Sequence, residues 1–208
     1  MPFENWLAFA AAAAIVLVIP GPTILLVISY ALGHGRKPAA AIVAGVALGD
    51  LTAMTASMVG LGAILAASAE LFTVLRWIGA AYLIYLGIKL WRAPVAQQGS
   101  LEAPSLGLAR IFTHAYAVTA LNPKSLVFFV AFVPQFLSSQ VAFLPQVTVM
   151  VATFVVMAAL NAALYGFLAS SARGALRSPA VQRTVNRTGG GLLIGAGLTA
   201  ALWRKSAA

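Results

Sequence analysis

Apolar runs of about 20 residues recur six times along this chain, and that recurrence limits the possible folds more than any other feature. A helix of about 20 apolar residues crosses the roughly 30 Å hydrocarbon core of a bilayer. The runs lie near Trp6–Leu32, Ala39–Leu65, Leu71–Trp91, Thr113–Leu137, Pro145–Ser170 and Val185–Trp203, separated by short polar or Gly/Pro-bearing breaks. They are continuous rather than alternating, which rules out lipid-facing strands; a spanning segment must also satisfy its own backbone, so helices are expected. Composition agrees. With 62% hydrophobic and 8% charged residues in a chain of 208, and a mean hydropathy of +0.96, the apolar surface exceeds what a water-soluble domain can hide. The expected fold class is an all-α integral membrane protein with six transmembrane helices.

The net charge of +9 raises the question of nucleic acid, and the placement of the charge answers it. Arg36, Lys37, Lys89, Arg92, Arg110, Arg173, Arg177, Arg183 and Arg187 fall in alternate loops on one side, nine in all, against three (Arg76, Arg204 and Lys205) on the other. That bias puts the first, third and fifth loops in the cytoplasm and both termini in the periplasm. The basic side then faces membrane lipid, and no nucleic-acid partner is expected. The absence of cysteine excludes disulfides and thiolate chemistry, and the start of the chain has no basic stretch of a cleaved signal. Trp6, Trp77, Trp91 and Trp203 fall at span ends, where aromatic anchors sit.

Two halves of three spans each are legible. Residues 1–92 form the expected first repeat, 93–112 a polar cytoplasmic linker and 113–208 the second repeat. Arg76-Trp77-Ile78-Gly79, Gly87 and Trp91-Arg92 in the third span match Arg187-Thr188-Gly189-Gly190, Gly197 and Trp203-Arg204 in the sixth, at offsets of 110 to 112. At an offset of 111, Asp50 corresponds to Asn161. Because each half has an odd number of spans, the second is inverted relative to the first, as in many secondary transporters.

The leading span of each half is broken by proline: Pro20-Gly21-Pro22-Thr23 in the first and Asn122-Pro123-Lys124-Ser125 in the fourth. Proline removes a backbone donor and frees carbonyls, which in hydrocarbon must find protein, water or a ligand. Paired breaks in corresponding helices point to a binding site near the membrane midplane; packing kinks are the plainer explanation. Lys124 lies 14 residues after Arg110 and Asp50 13 after Lys37, so each sits roughly 20 Å along its helix from a cytoplasmic anchor. An ionisable residue at that depth is a functional candidate by default. The expectation is that Asp50 carries a coupling proton while Lys124 and the freed amides hold the carboxylate of an amino acid; a static Asp50–Lys124 ion pair is the alternative. Asn161, Gln135 and Tyr165 are polar enough to line a pathway, and Asn161 and Gln135 are the two added to the candidate site. Gly45 with Gly49 and Gly191 with Gly195 have the Gly-x-x-x-Gly spacing of close helix contact, which also suits a homodimer.

Rival classes are a membrane enzyme, a scaffold or a channel. His34 and His114 have no acidic neighbour in sequence and no His-Glu-x-x-His spacing occurs, so neither an enzyme nor a cofactor or metal is expected. Ile19-Pro20-Gly21-Pro22, Gly45-Val46-Ala47-Leu48-Gly49-Asp50, Gly79-Ala80-Ala81-Tyr82-Leu83-Ile84-Tyr85-Leu86-Gly87, Leu121-Asn122-Pro123-Lys124 and Val133-Pro134-Gln135-Phe136, taken in order, resemble the LysE/RhtB amino-acid exporter family over essentially the whole chain. The resemblance implies a bacterial inner-membrane exporter of amino acids or derivatives such as lysine, threonine, homoserine or homoserine lactone, driven by the proton or another ion gradient. It carries over the proline-glycine break, Asp50 and the Asn122-Pro123-Lys124 segment.

Overall fold

The computed structural model describes residues 1–34, 36–67, 69–93, 107–171 and 178–202. Trp203, Arg204 and Lys205, the basic residues Arg173 and Arg177, and most of the expected linker lie outside the described residues. Among those described there are only helices and connections. We number the helices α1 (Phe3–Val18), α2 (Pro22–His34), α3 (Ala39–Ala67), α4 (Ala69–Trp91), α5 (Leu108–Ala120), α6 (Pro123–Val127), α7 (Phe143–Ser171) and α8 (Pro179–Leu202). From α6 the chain continues without unwinding through a π-helical turn, Phe128–Phe132, and a 3-10 turn, Val133–Phe136. Pro134 helps explain the change of helix type, because it offers Val130 no N–H.

By length and composition, Ala39–Gly62, Thr73–Trp91, Leu108–Phe136 and Phe143–Ser171 suffice to cross a membrane; α1 and α2, bent by 52° at their junction, make a fifth such segment together. Helix α8 is 24 residues long, but Gln182, Arg183, Asn186 and Arg187 in its first half keep it out of that set. Two boundaries differ from the sequence expectation. Helix α5 starts at Leu108, inside the stretch read as linker, and α8 starts at Pro179, one and a half turns before Val185. Basic residues near each start, Arg110 in α5 and Arg183 and Arg187 in α8, concealed both, since hydropathy marks the apolar part of a helix and not its end.

Packing follows small residues. A Cβ on Gly45 would meet the Phe112 carbonyl oxygen at 2.6 Å, and one on Gly49 the Thr119 Cβ at 2.8 Å, so these two glycines seat α3 directly on α5. Helices α4 and α8 meet just as closely through Gly87, Gly190 and Gly197: a Cβ on Gly190 would lie 2.6 Å from the Gly87 carbonyl oxygen. The expected Gly191–Gly195 pair does not make this contact. Gly195 has open space and Gly191 only the Trp91 ring beside it, because Gly190 and Gly197, two turns apart, form the stripe facing α4.

Of three apolar clusters among the described residues, the smallest joins Ile19, Leu83 and Leu193, and the two larger fill the bundle. One contains Phe9, Met54, Phe128, Phe129, Met150 and Phe154, with Phe129 and Phe154 edge to face at 4.8 Å; the other contains Val27, Tyr30, Ile42, Val46, Ile111 and Ala162. Trp6 does more than anchor the chain, since its indole N–H donates to Thr153 Oγ1 at 3.0 Å, and Asn5 donates to the Phe136 carbonyl nearby at 3.2 Å. At the opposite end Tyr30 and His114 are hydrogen-bonded at 2.8 Å. Arg36 there donates to Ser171 Oγ at 3.2 Å and stacks over Phe167. The α2–α3 loop, the start of α5 and the end of α7 therefore share one end of the bundle.

Candidate functional site

Between the two larger apolar clusters lies a polar layer built on the two broken helices. Ideal helical bonding would pair the carbonyls of Val16 and Val18 with the N–H groups of residues 20 and 22, and both of those are proline. Their carbonyls are orphaned by sequence alone. The structure shows where each goes. Lys124 Nζ donates to Val16 O at 2.8 Å and to Ile19 O at 2.6 Å. Asn161 Nδ2 donates to Leu17 O at 3.0 Å and Tyr165 Oη to Val18 O at 2.7 Å. Four successive carbonyls at the end of α1 thus take their donors from distant helices, and the only cation among those donors sits at the negative end of the helix dipole.

The second break positions that cation. Asn122 caps α6, its Oδ1 accepting from Lys124 N at 3.1 Å, with Pro123 at the first helical position, where its missing N–H costs nothing. The other end of the same side chain reaches across: Asn122 Nδ2 donates to Thr23 Oγ1 at 3.1 Å, and Thr119 Oγ1 donates to the same hydroxyl at 3.3 Å. Thr23, Thr119, Asn122, Lys124 and Ser125 are all buried. Gly21 lets the lysine through, since a Cβ there would stand 3.1 Å from Lys124 Cε and 3.2 Å from Nζ.

Asp50 enters this layer from α3. It is 3% exposed, and its Oδ1 is buried with no hydrogen-bond partner. Leaving such an acceptor unpaired costs about 1–3 kcal/mol, so it calls for a proton, a water or a ligand. Asp50 and Lys124 line one cavity with Gly21, Thr23, Asn122, Ser125 and Asn161. Its volume is about 20 Å³, room for one water and too small for an amino acid. The alternative of a static Asp50–Lys124 ion pair is not what the structure contains, because the hydrogen bonds of the ammonium go to backbone carbonyls.

Of the residues singled out in the sequence, Gly21, Thr23, Asp50, Asn122, Lys124 and Asn161 come together; Pro20, Pro22 and Pro123 shape the breaks. Gln135 does not join them. Its side chain donates to Ala131 O, one turn back, at 2.9 Å, which consumes it where the helix changes type. Tyr165 takes part instead. The signal was present: Tyr165 follows Asn161 by four residues and so shares its helix face. Ser125 falls within the break marked by Pro123 but was not among the candidates, and Thr119 carries no such mark in the sequence. Among the described residues no three His, Cys, Asp or Glu side chains gather as metal ligands.

Comparison with known proteins places this arrangement. The chain is 34% identical over 203 residues to the homoserine/homoserine lactone efflux protein of Salmonella typhi, covering 97% of this chain and 98% of that protein. It is 32% identical over 198 residues to an uncharacterized membrane protein of Vibrio cholerae, covering 95% and 97%. To the leucine efflux protein of Klebsiella pneumoniae it is 31% identical over 134 residues, covering 64% and 63%. No solved structure matches it. A model of the LysE type translocator matches residues 14–203, and the chain with its multi-pass helices and doubly broken core belongs to that family of membrane transporters, not to the enzymes.

Proposed function

We propose that this protein is a secondary active exporter that moves amino acids or their derivatives across the bacterial inner membrane, coupled to the proton gradient. The observation that carries the reading is the presence, in one buried cavity between two broken helices, of both the Lys124 ammonium and the Asp50 carboxylate, whose Oδ1 has no hydrogen-bond partner. An ammonium has three N–H donors. Two of those on Lys124 hold the end of α1, and the third is left for a substrate carboxylate. Asp50 is the group to carry the proton. A zwitterionic amino acid suits a site with one group of each sign; the efflux relatives are named for homoserine and leucine, and threonine is of the same type.

The reading includes six spans in two inverted halves, 1–92 and 113–208, with α8 as the sixth and its basic first turns at headgroup level. Supporting it, exchanging the halves exchanges the packing: α3 rests on α5 as α7 rests on α1 and α2, and α4 pairs with its own counterpart α8. Asp50 and its counterpart Asn161 line the same cavity. Both termini then lie in the periplasm, by the charge bias.

The test is efflux from cells loaded with a panel of labelled amino acids, with and without a collapsed proton gradient. Export that stops on collapse, and that falls at least about a hundredfold in Asp50→Asn and Lys124→Met proteins present normally in the membrane, is expected. Export that survives collapse would sink the proton coupling. Gradient-independent flux in liposomes would indicate a channel, and no flux for any amino acid a scaffold.

A further inference from the structure

The ammonium of Lys124 is bonded as an ion would be. Its partners Val16 O and Ile19 O belong to the carbonyl end of a 16-residue helix, where a dipole equivalent to about half a negative charge terminates. Carbonyls at such broken-helix ends are the ligands with which membrane transporters coordinate sodium. A carboxylate stands in the same cavity with an oxygen that has no hydrogen-bond partner, and Thr23 is among the lining residues. Hard oxygen donors, a single acidic group and a one-water volume describe a monovalent-cation site. A site for a transition metal would need softer or more acidic ligands, and no such cluster occurs among the described residues.

We infer that Lys124 is a covalently tethered cation seated in an alkali-ion site at the carbonyl end of α1, held by the Val16 and Ile19 carbonyls and balanced by the charge of Asp50 in the same cavity, beyond ion-pair distance of the ammonium, and that without its ammonium the protein binds sodium or lithium there. Gly21 fits the assignment, since a Cβ there would crowd Lys124 Cε at 3.1 Å and Nζ at 3.2 Å. For the cycle, which rests on the exporter reading, the consequence is that the seat of a driving sodium ion is already filled, leaving the gradient to be coupled through protons. The site itself does not depend on that reading, so its failure and the failure of exporter function are separate results.

The chain has no cysteine, so Lys124→Cys introduces its single thiol. Melting temperature in detergent is measured in choline, sodium and lithium chloride at matched ionic strength. The wild type should be indifferent to the cation, while Lys124→Cys should gain a saturable rise of a few degrees in sodium or lithium, as binding to the folded state requires. Aminoethyl methanethiosulfonate, which puts an ammonium back on the thiol as a mixed disulfide, should abolish that rise. Asp50→Asn combined with Lys124→Cys should lack it. A wild type that responds like the variant, or a folded variant indifferent to both ions, overturns the inference. Lys124→Ser is the second variant; if neither can be recovered folded even in sodium, the inference fails too, because an ion that fits would replace the missing charge.

Discussion

The carbonyls of Val16, Leu17, Val18 and Ile19 are four successive hydrogen-bond acceptors at the end of α1, and the placement of single residues around them decides what they bind. Pro20 and Pro22 remove the donors two of them would have had, and Lys124, Asn161 and Tyr165 replace them. Gly21 is part of this device although it contributes no polar atom. An alanine there would press its Cβ on Lys124 Cε and Nζ at 3.1 and 3.2 Å, so the ammonium must shift by a few tenths of an ångström against the carbonyls that hold it. Gly21→Ala is therefore expected to lower efflux about tenfold or more while the protein stays folded, because displacement of a positioning group by a fraction of an ångström is costly. Efflux from loaded cells, alongside the amount of monodisperse protein extracted, checks it; unchanged efflux would mean the lysine need not sit where it does.

At the scale of elements, backbone proximity rather than side-chain interdigitation joins the helices. In hydrocarbon there is no water to drive apolar faces together, so close approach through small residues carries more of the association. Helices α4 and α8 show how specific this is. Gly190 has the Gly87 carbonyl and the Trp91 backbone at 2.6 and 2.8 Å from a Cβ, whereas Gly195 has nothing within 4 Å. Gly190→Ala should destabilise the bundle by about 1–3 kcal/mol, since backbone cannot step aside as a side chain can. Gly195→Ala should be neutral or stabilising by up to about 1 kcal/mol, the gain in helix propensity. Unfolding by sodium dodecyl sulfate in mixed micelles ranks the two, and a reversed order would contradict the packing of α8 on α4.

For the whole molecule, the cavity of about 20 Å³ identifies this as a closed form. An amino acid enters only if the broken halves of the first and fourth spans separate from their neighbours, and the two hydrogen bonds of Lys124 to the end of α1 must survive or be exchanged in that motion. The orientation gives a direct experiment, helped again by the absence of native cysteine. Lys37 and Gln140 are both exposed and fall on opposite sides in the proposed topology. A membrane-impermeant maleimide should label Gln140→Cys in intact cells, and Lys37→Cys only after permeabilisation. Labelling of both in intact cells, or the opposite pattern, would overturn the assignment of the basic loops to the cytoplasm.

Much of this protein is decided by local chemistry and is legible without a structure. Long apolar runs require membrane helices, and prolines at 20, 22 and 123 must interrupt their helices because the missing N–H is a property of the residue; loop charge predicts an orientation, which the labelling experiment tests. Asp50 and Lys124 stand out for the same kind of reason, since a charge costs too much in the hydrocarbon core to be incidental. What the sequence could not decide is pairing across helices. The sequence left a static Asp50–Lys124 pair open beside separate roles for the two; the ammonium bonds to α1 carbonyls, and Asp50 Oδ1 has no hydrogen-bond partner. Gln135 and Tyr165 were equally polar candidates, yet one is spent within its own turn and the other closes the end of α1. Gly190 and Gly197, rather than Gly191 and Gly195, meet α4, since a rotation of one residue, about 100°, separates the two stripes and only the neighbouring helix selects between them. Residue type fixes which backbone groups are orphaned and which side chains must not face lipid; the tertiary structure alone decides which distant donor reaches which acceptor.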